Sequence, residues 1–94
     1  MKRETKEDRF KRLTDRRKKI DLIDRELLDL LNQRLRIAMK IGRIKKEMGE
    51  KIYDSKREKE VLERLRTRNK GPLKKKDLKK IFETIMEVCR RCQK

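Results

Sequence analysis

The sequence contains no histidine and no tryptophan, and it has only one proline, three glycines and two cysteines. Without histidine, the chain lacks the usual general base at neutral pH and a common ligand of zinc. Cys89 and Cys92 form a single C-x-x-C, whereas zinc needs two further ligands and a redox motif needs a strand-to-helix junction. We therefore expect two buried or half-buried thiols and no metal site.

Turn-forming and aromatic residues are also scarce. So few glycines and prolines leave little to build the turns of a sheet. Aromatic residues are 3% of the chain, which leaves few platforms for stacking nucleic-acid bases. No apolar run is long enough for a transmembrane helix, and nothing near Met1 resembles a signal peptide. A cytoplasmic protein without a membrane segment is expected.

Charged residues, in contrast, make up 53% of the chain, and 33 basic against 17 acidic residues give a net charge of +16. Only 33% of the residues are apolar, a composition that permits disorder unless those residues are regularly spaced. A positive excess attracts nucleic acid, an anionic membrane or a small polycarboxylate alike. The net charge therefore predicts that the partner is negatively charged, but it says nothing about the partner's size.

The apolar residues do recur at helical spacing, first in a long segment. This first helix is predicted to start between Asp8 and Thr14 and to run to Met48, where Gly49 ends it. Residues 1–12 are expected to form a frayed basic extension of one domain, 1–94.

Two shorter helices follow. The second begins after Asp54, where Ser55 and Glu58 fit an S-x-x-E capping box, and it ends near Asn69. Gly71-Pro72 is the clearest break in the chain. The third helix runs from there to the C-terminus, with an apolar face formed by Leu78, Ile81, Phe82, Ile85, Cys89 and Cys92.

The helix lengths predict a dimer. The first helix would be about 55 Å long, against about 22 Å and about 30 Å for the other two, which therefore cover only half of it. Yet it is apolar throughout, at Ile20, Ile23, Leu27, Leu28, Leu30, Leu31, Leu35, Ile37, Ala38, Ile41, Ile44 and Met48. Because soluble monomers rarely expose so large an apolar patch, we predict an all-α, intertwined homodimer with exchanged long helices.

One heptad seam of the first helix contains charges where apolar residues are expected. The seam is Leu13, Arg17, Ile20, Asp24, Leu27, Leu31, Arg34, Ala38, Ile41, Lys45 and Met48. Its basic members are Arg17, Arg34 and Lys45. The last two are eleven residues apart and share a face, and Ala38 and Gly42 between them leave room for something small.

The short helices repeat this pattern. Arg57 and Glu58 open the apolar stripe of the second helix, and Gln93 ends that of the third. Buried cations without partners are costly, so their convergence indicates an absent anion, which arginine would bind through a bidentate fork and lysine as a point charge. A single such residue could equally be a snorkelling side chain or a coiled-coil register residue. The set, on three helices, favours a site for a small polycarboxylate.

Several of these segments together resemble the all-helical chorismate mutases. They are residues 17–24 with Leu27, Leu30, Leu31 and Arg34; residues 41–45; residues 52–54 with Arg57 and Glu58; and Ile81, Phe82 and Gln93. The similarity covers about residues 13–93 in the family's order and spacing. It implies three helices per chain, a helix-exchanged homodimer, and rearrangement of chorismate, a small dicarboxylate, to prephenate without metal or organic cofactor.

The resemblance also implies roles for four catalytic residues. Arg34 would bind one substrate carboxylate, and Arg17 would reach across the dimer to a carboxylate in the partner's site. Lys45 would contact the ether oxygen and a carboxylate, while Gln93 would donate a hydrogen bond to the same oxygen.

Four further residues would contact the substrate. Arg57 would add positive charge, and Glu58 together with the backbone at Asp54 would hold the substrate hydroxyl. Cys89 stands where a hydroxyl side chain is common in the family, next to a carboxylate.

Two other functions are left open by the sequence. The net charge and the lysine-rich run 74–80 suit non-specific nucleic-acid binding, although the basic seam residues face inward. A structural coiled coil is the second alternative, which Gly71-Pro72 and the short helices weaken. We interpret the lysine-rich run as solvated surface.

Overall fold

The computed structural model describes residues 3–94, and over that range it is entirely helical, without strands. Helix α1 spans Lys6–Met48, α2 spans Ser55–Arg68 and α3 spans Lys75–Gln93. The prediction of one long and two short helices is therefore confirmed. Within residues 3–94, none of the helices is both long enough and apolar enough to cross a bilayer.

Helix α1 begins at Lys6, two residues before the earliest predicted start. The cause is a capping box that the sequence analysis overlooked: the Asp8 N–H donates to Thr5 Oγ1 and the Thr5 N–H donates to Asp8 Oδ2, both at 3.1 Å. The bond from the Thr5 backbone lowers the pKa of the Asp8 carboxyl. Residues 6–12 of the segment that was expected to fray are thus helical. The fraying of this segment stays a prediction.

Gly49 ends α1 as predicted. Its φ is 70°, its N–H donates to the Lys46 carbonyl at 3.2 Å, and the Glu50 N–H donates to the Lys45 carbonyl at 2.8 Å. This pair of bonds is the Schellman motif, in which a left-handed residue closes the last turn of a helix. Glycine suits the position because it adopts that conformation without steric cost.

The N-cap of α2 is Asp54, and the predicted capping box starting at Ser55 is wrong by one residue. The Asp54 carboxylate accepts a hydrogen bond from the Arg57 N–H at 3.0 Å. Aspartate caps helices as well as serine does, so the first competent residue in the chain takes the position. The helix ends at Arg68 with Asn69 as its C-cap, close to the predicted end.

The chain divides into an N-terminal unit, Met1–Asn32, and a C-terminal unit, Gln33–Lys94. The described part of the N-terminal unit contains residues 6–32 of helix α1 and no other element. Eight of its large apolar side chains are 46–68% exposed. They are Phe10, Leu13, Ile20, Leu22, Ile23, Leu27, Leu28 and Leu30. This unit therefore has apolar side chains but no core of its own.

The core lies in the C-terminal unit, where the last turns of α1 meet α3. Its buried residues are Ala38, Gly42, Leu78, Met86 and Cys89. A Cβ added at Gly42 would lie 2.8 Å from both the Cβ and the carbonyl oxygen of Gln93. The missing side chain at Gly42 is thus what allows the end of α3 to lie against α1.

Candidate active site

A pocket of about 290 Å³ opens in the C-terminal unit between α1, the start of α2 and the end of α3. Its apolar wall consists of Ile37, Ala38, Ile41, Ile52, Val61 and Met86. The polar side chains that line it are Arg34, Lys45, Asp54, Arg57, Glu58, Cys89, Arg90 and Gln93. Four cations against two carboxylates leave an excess of two positive charges. The volume, near the lower end of ligand sites at roughly 300 Å³, suits a small dianion.

Seven of the eight residues predicted for the site line this one pocket: Arg34, Lys45, Asp54, Arg57, Glu58, Cys89 and Gln93. The eighth, Arg17, belongs to the N-terminal unit, where its side chain is exposed. The roles of all eight stay predictions at this point, because a shared pocket gives a residue's location and not its function.

Helix α1 supplies two cations to the pocket, both half-buried. Arg34 Nη1 donates to Cys89 Sγ at 2.9 Å, which orients the guanidinium along the pocket wall. Lys45 Nζ donates to the Ile52 carbonyl at 3.0 Å. The sequence suggested an unpaired ammonium at Lys45. The chain turns back after Gly49 and supplies this backbone partner instead, so that expectation is corrected.

The first turn of α2 contributes Arg57 and Glu58. The backbone N–H of Arg57, and not its guanidinium, donates to the Asp54 cap. That guanidinium is half exposed and lies 3.9 Å from the Glu60 carboxylate, a pair that contributes little in water. A bound anion could therefore replace Glu60 as the partner of the Arg57 guanidinium with little loss of free energy.

The end of α3 places Cys89 and Gln93 in the pocket. Cys89 is 3% exposed, and Gln93 Oε1 is buried without a hydrogen-bond partner anywhere in residues 3–94. Since buried amides are normally satisfied, this atom indicates a missing polar partner.

Cys92 is exposed, contrary to the expected buried or half-buried thiol. Met86 takes a core position that the predicted face had missed, and the buried stripe of α3 therefore passes to one side of Cys92. Across the described residues, no group of acidic or cysteine side chains is arranged to hold a metal ion.

Arg90 is a pocket residue that the sequence analysis did not find. Its Nη1 donates to Glu58 Oε2 in an ion pair, and its guanidinium carbon lies 4.9 Å from the centre of the Tyr53 ring. The hydrogen bond to Glu58 raises the pKa of Arg90 above its ordinary value, because it stabilises the charged form. A carboxylate in a half-buried site needs a counterion, so the sequence indicated that Glu58 would have one, but not which arginine of α3 it would be.

Comparison with known proteins identifies relatives of this arrangement. The family model for chorismate mutase type II matches residues 16–94. The chain is 34% identical over 86 residues to the chorismate mutase of Methanocaldococcus jannaschii, covering 90% of this chain and 87% of that protein. Other relatives are bifunctional chorismate mutase/prephenate dehydratases, of whose length the chain spans only 21–22%.

Solved structures agree in fold. Chorismate mutase form II from Thermus thermophilus superposes with a TM-score of 0.86 at 36% identity, covering 87% of this chain and 93% of that one. The chorismate mutase from Helicobacter pylori, solved in complex with prephenate, gives a TM-score of 0.80 at 41% identity. That match covers 86% of this chain and 88% of that one.

Proposed function

Because this chain belongs to the chorismate mutase type II family, we propose that it catalyses the rearrangement of chorismate to prephenate. The observation that carries the proposal is the pocket itself. It is small, has an excess of two positive charges, and gathers side chains from all three helices. Chorismate is a small dianion, and its rearrangement is intramolecular, so the protein needs to supply restraint and charge stabilisation only.

Restraint is the first contribution. Chorismate must be held in a compact chair that brings the two ends of the new C–C bond together, and cationic clamps on its two carboxylates achieve this. Arg34 and the half-exposed guanidinium of Arg57 serve as clamps within one chain. The Cys89 thiol orients the Arg34 guanidinium, and Glu58 together with the backbone at Asp54 would hold the ring hydroxyl.

Charge stabilisation is the second contribution. Negative charge grows on the ether oxygen as the C–O bond breaks, and donors already in place lower the barrier without reorganising. We assign this role to Lys45 and Gln93. Lys45 uses one of its three protons on the Ile52 carbonyl and keeps two for the substrate. Gln93 would donate from its Nε2–H, while its buried Oε1 is an acceptor that has room for a further donor.

The assembly we propose is a homodimer with exchanged long helices. The support is the row of exposed leucine and isoleucine side chains in the N-terminal unit, which a second copy would cover. Arg17 lies on the seam within this row. In the dimer it would provide a clamp on a substrate carboxylate in the partner's site.

The test of the activity is direct. Purified protein should consume chorismate, followed by its ultraviolet absorbance, with prephenate as the product. The control variant Lys75→Glu/Lys79→Glu changes two exposed residues outside the pocket. Its turnover should stay within about twofold of the parent while retention on DNA or RNA falls, because non-specific retention depends on phosphate contacts. Turnover that is lost in the folded double variant would place the site elsewhere.

A second prediction concerns Gly42. Gly42→Ala should lower kcat by about tenfold or more, because its Cβ would displace the Gln93 backbone and with it the donor to the ether oxygen. The melting temperature should change little, since alanine favours the helix by about 1 kcal/mol and offsets the shift at the chain end. The double variant Gly42→Ala/Gln93→Ala should be no slower than Gln93→Ala, because both changes act through one side chain. Additive losses would contradict this.

A further inference from the structure

Glu58 poses an electrostatic problem for the proposed function. A carboxylate in the pocket repels a dianionic substrate, and it can also pair with the cations that should bind that substrate. Its side chain is only 21% exposed, so solvent screens these interactions weakly. A free Glu58 would therefore weaken binding unless something holds it to one side.

The structure resolves the problem with Arg90. Over residues 3–94, the ion pair of Glu58 is with Arg90, and the remaining pocket cations have other partners. Arg34 donates to Cys89, Lys45 donates to the Ile52 carbonyl, and Arg57 lies towards Glu60. The carboxylate is thus kept away from the three cations that would bind the substrate.

Tyr53 holds Arg90 in the orientation that this pair requires. The guanidinium stacks its face 4.9 Å from the ring centre, which leaves the N–H groups along its edge free for the carboxylate. Arg90 therefore ties three segments together: α3, the loop that carries Tyr53, and the first turn of α2 that carries Glu58. Stacking and ion pair together hold the Glu58 carboxylate on the Arg90 side, with lone pairs left for another donor.

We propose that Arg90 is a positioning and specificity-determining residue, which holds Glu58 as the acceptor for the substrate's hydroxyl and keeps it from the carboxylate-binding cations. This inference rests on the proposed function and adds a residue to it. Arg90 acts through Glu58 and has no role in the bond-breaking step.

The experiment compares two substrates in one variant. Arg90→Met keeps most of the side chain's length and removes its charge. With chorismate, kcat/KM should fall about tenfold or more, the effect of losing a well-placed hydrogen bond to a charged group. The analogue with hydrogen in place of the ring hydroxyl has no proton for Glu58 to accept. With this analogue, the fall in kcat/KM caused by Arg90→Met should therefore be several-fold smaller. It would come only from pairing of the released Glu58 carboxylate with the cations of the pocket.

Matched variants separate positioning from stability. Arg91→Met removes a neighbouring arginine that is 64% exposed and pairs with Glu87 at 3.6 Å, and it should leave both substrates within about twofold. Glu58→Gln should reproduce the hydroxyl-dependent loss, and Arg90→Met/Glu58→Gln should be no worse than the poorer single variant. Arg90→Lys keeps the charge, and it replaces Arg90→Met in the same comparison of substrates if Arg90→Met does not fold. It should show a smaller loss that again depends on the hydroxyl.

The outcomes are distinct. A hydroxyl-dependent loss that is not additive with Glu58→Gln supports the proposal. Equal losses on the two substrates, or additive losses in the double variant, overturn it while the proposed function stands. A folded wild-type chain that does not turn over chorismate overturns the proposed function and this inference with it.

Discussion

Replacing Lys45 with alanine should lower kcat by about 10² or more. In the proposed complex the ammonium would face the oxygen on which charge develops, and a preorganised donor in a half-buried pocket acts mainly on the transition state. KM should therefore change much less than kcat. The measurement is steady-state chorismate consumption over a range of substrate concentrations.

The same variant should lose a little stability, about 1 kcal/mol, because the hydrogen bond from Lys45 to the Ile52 carbonyl at 3.0 Å disappears. Lys46→Ala is the matched control, since the next lysine in α1 is exposed and does not line the pocket. It should be as active as the parent. Activity of Lys45→Ala within a few-fold of the parent would show that Lys45 has been assigned wrongly.

Mixing two inactive variants should restore activity, which is the second large effect. Arg17→Ala and Arg34→Ala homodimers should each be slower than the parent by about 10² or more, because each lacks one carboxylate clamp in both of its sites. The two variants are then unfolded together in equal amounts and refolded as a mixture. In a mixed dimer, one site carries both changes and the other site carries neither.

The size of the recovery follows from counting. Random pairing makes half of the dimers mixed, and half of the sites in those dimers are intact, so about a quarter of the parent's activity should return. Sedimentation checks that the refolded material is dimeric. Arg16→Ala is the control for the N-terminal unit and should be active alone. Folded dimers that regain nothing would refute a site shared between chains, because a self-contained site cannot be repaired by its partner.

Periodic features of the fold could be predicted well from the sequence. The end of α1 follows from Gly49, whose backbone preference is strong, and the end of α2 near Asn69 follows from the break at Gly71-Pro72. The start of α1 was missed because Thr5 and Asp8 precede the first apolar repeat, and the cap of α2 was misplaced because two adjacent residues can both act as caps. Neighbouring residues compete for such positions, and only coordinates decide between them.

The pocket was predictable for a different reason. Arg34 and Lys45 interrupt an apolar seam, so they stand out in the sequence as costly unless they bind something. Arg90 interrupts nothing, since it is one of several arginines near the end of a basic chain. Its identity as the counterion of Glu58 depends on contacts across 32 positions, and such contacts have no signature in local spacing. The hydrogen bond from Lys45 to the Ile52 carbonyl could not be predicted either, because every residue has a backbone carbonyl and the sequence does not distinguish one from another.

The exposed apolar row of the N-terminal unit has a consequence for how the protein behaves on dilution. This part of α1 has no packing partner within its own unit, and most of the stability of helices in proteins comes from packing rather than from propensity. In the proposed assembly, the packing comes from the partner, so order in this part of α1 and association are one equilibrium. The melting temperature should then rise with protein concentration, and specific activity should fall in very dilute solution. In the proposed dimer, the number of complete sites would therefore depend on protein concentration, because each site takes its Arg17 from the other copy.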